Sequence, residues 1–228
     1  ENAADGFGVT PEIAEEILER GVDCITTGNH IWDKAQIRDY LPHEPRLLRP
    51  INYPEDLPGR GVYLGQTAGG SPVAVINVMG RVFMPLTNDP FRSVIEAVRD
   101  VRQRTRVVVV DMHGEATSEK IAMGWHLDGR VSAVVGTHTH VQTADERILP
   151  AGTAYITDVG MTGPYDSVIG MDRQGSLARF LHHASGRLRS AKGDPRFCAV
   201  VIAVDENTGK ASAIHRLMLG QDSTEAGP

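Results

Sequence analysis

Four short apolar runs end in side chains that can hold a cation or move a proton. Residues 22–27 lead into Gly28-Asn29-His30, residues 106–112 into His113-Gly114-Glu115, residues 131–136 into Thr137-His138-Thr139-His140, and residues 154–157 into Asp158-Val159-Gly160-Met161. One histidine after a strand is an ordinary structural residue, and His43, His126, His182, His183 and His215 are read that way. Three separate strand ends delivering Asn-His, His and His-x-His point instead to a metal site. In an extended segment, residues two apart project to the same side, so His138 and His140 can face one locus and serve one ion or two adjacent ions. Neutral imidazole suits Zn, Fe, Mn or Ni, whereas amide and carboxylate oxygens suit harder ions such as Mn and Fe(II). A mixed O/N set without thiolates points away from structural zinc.

Such residues need a scaffold that brings strand ends together. The runs at 22–27, 73–78, 106–112, 131–136, 154–159 and 199–204 are β-branched and bounded by Gly, Asp or Asn, which predicts strands. Helices are predicted at 11–20, with Thr10 as N-cap, Pro11 at the first position and Gly21 as the stop, and at 89–104, 118–127 and 174–183. Alternating strands and helices imply an α/β protein with buried, largely parallel strands. In open sheets of this kind the ligand crevice lies beyond the carboxyl ends of the strands, where the His and Asn residues fall. Two hairpin-like regions, 61–78 and 196–218, add antiparallel pairing and favour two mixed sheets with outer helices over a simple doubly wound sheet. One domain is expected over residues 1–220, followed by a polar tail at 221–228.

The chain has 228 residues, 41% of them hydrophobic and 23% charged, which suffices for a sizeable core and excludes disordered and fibrous classes. With 23 Lys+Arg against 29 Asp+Glu the formal charge is -6, which argues against a duplex nucleic acid as partner but leaves a small phosphate ligand open. No stretch approaches the roughly 20 apolar residues of a membrane span, and no signal peptide is seen. Cys24 and Cys198 sit in apolar runs far apart and read as buried thiols of a reducing, cytoplasmic compartment. A homo-oligomer is left open.

The blocks Gly28-Asn29-His30, His113 and Gly136-Thr137-His138-Thr139-His140 resemble the GNH and GHxH motifs of the calcineurin-like metallophosphoesterase superfamily. More closely, Glu1 to Gly6, Thr26 to Asp33, Gly114 to Lys120, Val135 to Asp145 and Gly152 to Pro164 look like its bacterial YmdB-type branch, in order and through nearly the whole chain. One departure is Gly114, where the branch usually has Ala. The resemblance implies a four-layer α/β/β/α sandwich and a phosphodiesterase acting on small phosphodiesters, 2′,3′-cyclic nucleotides foremost. It also implies two iron or manganese ions. Carried over by position, Glu1 bridges them, Asn2 and His140 bind the first, and Asn29, His113 and His138 the second. His30 matches the catalytic histidine.

The chemistry of these residues agrees with that assignment. Two cations can bind one phosphoryl group, generate a hydroxide nucleophile at neutral pH and neutralise charge on attacking and leaving oxygens. A histidine can give the leaving alkoxide its proton near neutral pH, and His30, free of metal, is placed as that general acid. Asp158 and Glu115 are candidates to hold the outer nitrogen of a ligand histidine or to cap a turn. Gly160 to Gly163 reads as a tight turn, Arg81 as a surface residue, and Trp32 and Met123 as core. The superfamily normally opens with a strand ending in a ligand Asp, which has no counterpart before Glu1, so a truncated chain lacking the first strand is expected, with its second metal bound better than its first. The alternative function is a catalytically weak metal- or nucleotide-binding regulatory protein.

Overall fold

The computed structural model describes residues 1–186 and 188–221. The chain enters through α1 (Pro11–Glu19), whose start is set by the Thr10 hydroxyl accepting from Ile13 N at 3.3 Å and by Pro11 at the first position. A short α2 (Ile37–Tyr40) follows, then the hairpin strands β1 (Val62–Gln66) and β2 (Pro72–Met79). Helix α3 (Pro90–Val101) begins where the Asp89 carboxylate accepts from Phe91 N and Arg92 N, and its Val94, Ala97, Val98 and Val101 face is buried. Next come β3 (Val107–His113), α4 (Thr117–Leu127), β4 (Ala133–Thr137), β5 (Arg147–Ile148), β6 (Ala154–Ile156) and β7 (Gly163–Pro164). Helix α5 (Arg173–His182) and the strands β8 (Pro195–Val204) and β9 (Ala211–Gly220) complete the described elements.

Among the described residues these strands form two sheets, of order β1-β2-β3-β4-β6-β5 and β7-β8-β9. Strands β2, β3, β4 and β6 run parallel, with β1 and β5 antiparallel at the edges of the first sheet, and the second sheet is antiparallel at both its pairings. One face of the large sheet packs α3 and α4 through Val94, Val98, Val110, Met112, Met123 and Leu127. The other face meets the second sheet through Ala133, Ala154, Ile156, Ala211 and Ile214. Burial on both faces accounts for the near-continuous valine runs in β3 and β4. The α/β architecture with two packed sheets expected from the sequence is therefore present. No helix among the described residues is long and apolar enough to cross a membrane.

The register matters most for the site. Met79 pairs with His113 and His113 with Thr137, so the carboxyl ends of β2, β3 and β4 share one edge. The end of β6 joins them through the pairing of Val135 with Ile156.

The expected strand at 22–27 is corrected: its one described pairing is the isolated bridge of Ile25 to Leu47. Ile25 N donates to Arg46 O at 2.7 Å and Leu48 N to Ile25 O at 2.8 Å, after which side chains take over from the ladder. Thr27 N donates to Asn77 Oδ1 at 3.1 Å and Thr27 Oγ1 to Leu48 O at 2.7 Å. A β-branched run favours extended backbone, but a strand also needs a neighbour in register, and among the described residues the segment 46–48 pairs with this run for a single bridge. Strand β6 is likewise shorter than the expected 154–159, because Thr157 N and Asp158 N donate to the Asp145 carboxylate and the Thr143 hydroxyl instead of extending the sheet. The expected tail at 221–228 lies outside the described residues apart from Gln221.

Candidate metal centre

His113 closes β3 with its side chain almost fully buried, and its surroundings fix which ring nitrogen carries the proton. Its Nδ1 lies 3.0 Å from Thr137 Oγ1, and that hydroxyl donates to Asp111 Oδ1 at 2.7 Å. A hydroxyl that gives its proton to a carboxylate must accept from the imidazole, so Nδ1 is the N–H and Nε2 presents a lone pair. Around Nε2 stand Glu1 Oε1 at 2.9 Å, Asn29 Oδ1 at 3.0 Å and His138 Nδ1 at 3.1 Å. His138 Nε2 is 3.1 Å from Glu115 Oε2, which assigns its proton to that side and leaves His138 Nδ1 as a second lone pair. Four lone pairs thus converge with no proton among them, an arrangement that a cation stabilises.

The ionisation states suit that role. Burial pushes His138 down to about 4, so its imidazole is neutral near pH 7. Ligand atoms of Glu1, His113 and His138 lie within 4.8 Å of one another. A second pair stands beside them: Asn2 Nδ2 is 3.1 Å from His140 Nε2, while Asn2 Oδ1 is buried without a hydrogen-bond partner. An orphaned buried carbonyl is costly unless something binds it, and an amide oxygen is a good ligand for hard cations. The residues present therefore fit a metal ion at Glu1, Asn29, His113 and His138, with Asn2 and His140 as a further pair of donors.

His30 stands next to the cluster with its ring outside it. Its backbone N–H donates to Glu1 Oε2 at 3.1 Å, and its Nδ1 is 2.7 Å from Asp33 Oδ2. Phe7 meets the His30 ring edge-on, with centroids 5.4 Å apart. Gly28 lies so close to His113 that a Cβ there would overlap the imidazole, which is why the residue before Asn29 has no side chain.

All seven sequence-predicted residues, Glu1, Asn2, Asn29, His30, His113, His138 and His140, thus gather at one edge of the large sheet. The cavity there has a volume of about 580 Å3, and its described lining includes Glu1, Asp5 and Asp111 but no lysine or arginine. An anionic ligand in it needs positive charge from elsewhere, which bound cations would supply.

Supporting residues divide. Glu115 holds the outer nitrogen of His138, one of its two expected roles. Asp158 meets no histidine among the described residues and accepts instead from Thr139, Gly160 and Lys120. Gly160 has a φ of 85° and its N–H donates to Asp158 Oδ1 at 2.9 Å, whereas Gly163 lies in β7 rather than in the expected tight turn. Arg81 is exposed and pairs with Asp89 at 3.6 Å, Met123 is fully buried, and Trp32 packs edge-on against Tyr53. Cys24 and Cys198 are free thiols, and burial pushes Cys24 up to about 12. The sequence reading missed Asp111, Thr137 and Asp33. The one signal for Asp111 is a lone carboxylate inside a valine strand, two residues before His113 and so on its face.

The YmdB-like protein family matches residues 1–217. A 2′,3′-cyclic-nucleotide 2′-phosphodiesterase of Bacillus subtilis is 50% identical over 222 residues, covering 97% of this chain and 84% of the relative. A putative phosphatase/phosphodiesterase of Mycoplasma pneumoniae is 33% identical, covering 97% and 80%. Among solved structures, a hypothetical protein from Thermus thermophilus superposes with a TM-score of 0.90 at 41% identity, covering 96% of this chain and 85% of that one. A novel phosphatase from Mycoplasma pneumoniae superposes with a TM-score of 0.88 at 33% identity, covering 96% and 80%.

Proposed function

The chain belongs to the YmdB-like protein family, and from that premise we propose that it is a metal-dependent phosphodiesterase acting on 2′,3′-cyclic nucleotides. The observation that carries the reading is the convergence of Glu1, Asn29 and His138 on the unprotonated Nε2 of His113. In this reading Asn29, His113 and His138 would hold one ion and Asn2 and His140 the other, with Glu1 a ligand available to both, and iron or manganese would match the mixed oxygen and nitrogen set. When bound, two such ions supply Lewis-acid polarisation of the phosphoryl group and lower the pKa of water.

The chain's own residues supply the rest. Glu115 and the Thr137–Asp111 pair aim the two ligand imidazoles and hold their protons on the outer nitrogens. His30 delivers a proton to the departing ribose oxygen: Asp33 at its Nδ1 stabilises the imidazolium and leaves Nε2 as the donor. The substrate class rests on the activity for which the Bacillus relative is named and on the scarcity of positive charge in the cavity lining, which would make the cations the receptors for a phosphodiester.

Hydrolysis of 2′,3′-cyclic AMP by the wild type and by His30→Ala, with metal content measured on both, tests this. The expected result is a loss of turnover of roughly 10²- to 10⁴-fold with metal content unchanged. Wild-type turnover in His30→Ala would remove the acid assignment.

A further inference from the structure

The loop carrying His138 and His140 holds a backbone that its residues do not favour. Both histidines have positive φ, 104° and 66°, a region that side chains other than glycine occupy only when their surroundings impose it. The residue between them is the anchor. Thr139 N and Thr139 Oγ1 both donate to Asp158 Oδ2, at 3.0 and 2.8 Å. The same oxygen accepts from Lys120 Nζ at 2.8 Å, and the other carboxylate oxygen accepts from Gly160 N at 2.9 Å.

The backbone that carries this carboxylate is fixed as well. Asp158 N donates to Thr143 Oγ1 at 2.9 Å, and Asp158 O accepts from Thr143 N at 3.1 Å. The Lys120 and Asp158 side chains are 0% and 1% exposed, so this is a fully buried ion pair between α4 and the end of β6. A buried pair of this kind is a weak source of stability compared with apolar side chains of the same volume, and its best-attested use is to enforce one arrangement over others. Here the enforced arrangement is a strained loop with an imidazole on either side of the anchored residue.

We propose that the Lys120–Asp158 pair is the positioning device of the metal centre, acting through Thr139 to aim His138 and His140 at their ions. Asp158 and Lys120 are positioning residues that touch neither ion nor substrate. This rests on the reading of the site as a metal centre.

The test is Mn2+ binding, with the metal alone as probe, followed by the electron paramagnetic resonance signal of the free ion. Thr139→Val keeps the side-chain shape and removes the donor, whereas Thr139→Ser keeps the donor. Asp158→Asn and Thr139→Val are expected to weaken Mn2+ binding about tenfold or more, with Thr139→Ser within about twofold of wild type. A purely structural role would lower the thermal midpoint without separating Val from Ser in affinity. Thr139→Val binding like the wild type, or Thr139→Ser losing as much affinity as Thr139→Val, overturns the proposal. Should Asp158→Asn fail to fold, the two Thr139 variants still decide. A wild type that takes up no Mn2+ overturns the metal-centre reading as well, so the two failures are distinguishable.

Discussion

His113 Nε2 has a carboxylate oxygen, an amide oxygen and an imidazole nitrogen at 2.9 to 3.1 Å, and the Thr137–Asp111 relay on its far side takes the ring's one proton away from them. Hydrogen bonding cannot satisfy that cluster, and a cation can. The same logic separates His30 from the candidate ligands: its Nδ1 is 2.7 Å from Asp33 Oδ2, a contact that orients the ring and leaves Nε2 for other partners. Asp33→Asn removes that carboxylate partner of the ring while leaving the candidate ligands in place. We expect kcat for 2′,3′-cyclic AMP to fall roughly 10- to 100-fold with KM little changed, read by steady-state kinetics. An unchanged kcat would leave Asp33 as a local turn partner. These candidate ligands were legible because three expected strand ends carry Asn-His, His and His-x-His together, where a single histidine would have been ordinary. Asp111 and Thr137 were not, because a carboxylate and a hydroxyl acquire their role only through a cross-strand contact that spacing does not reveal.

At the scale of elements, the parallel strands β2, β3 and β4 deliver their ends in register, and the loops after β4 and β6 are tied to each other by side chains. Asp145 is one such tie: it accepts from Thr143 Oγ1 at 2.7 Å, from Thr157 N at 3.1 Å and from Thr157 Oγ1 at 2.5 Å. Burial acts to raise its carboxyl, but the Thr157 and Thr143 hydrogen bonds outweigh burial and hold it below its ordinary value. A carboxyl lowered in the folded state stabilises the protein above its unfolded value of about 3.9, and that contribution disappears as pH falls through the folded value. Denaturant unfolding between about pH 6 and about pH 3 should therefore show a smaller acid loss for Asp145→Asn than for the wild type. Parallel acid profiles for the two would contradict this. Helix starts were legible from Thr10-Pro11 and Asp89-Pro90, where the capping side chain and the proline ring act within one turn. The segment at 22–27 was not, because a strand depends on partners as well as on propensity, and the isolated Ile25 to Leu47 bridge is all that the described residues provide. Lys120 was equally hidden: on a helix it reads as a solvated charge, and only the packing of α4 against β6 turns it inward.

For the molecule as a whole, the net charge of -6 and an acidic cavity lining would repel a phosphodiester unless cations reverse the local sign. The fold class was readable because buried valine runs and alternating helices leave few packings for two sheets, and the ordered motifs pointed to the family. The chemistry follows from one edge of the large sheet, where every candidate ligand gathers. The most direct measurement is hydrolysis of 2′,3′-cyclic AMP before and after treatment with a strong chelator, followed by readdition of Mn2+. The account predicts turnover that is abolished by chelation and restored by Mn2+, and turnover that persists undiminished in the chelated protein would contradict it.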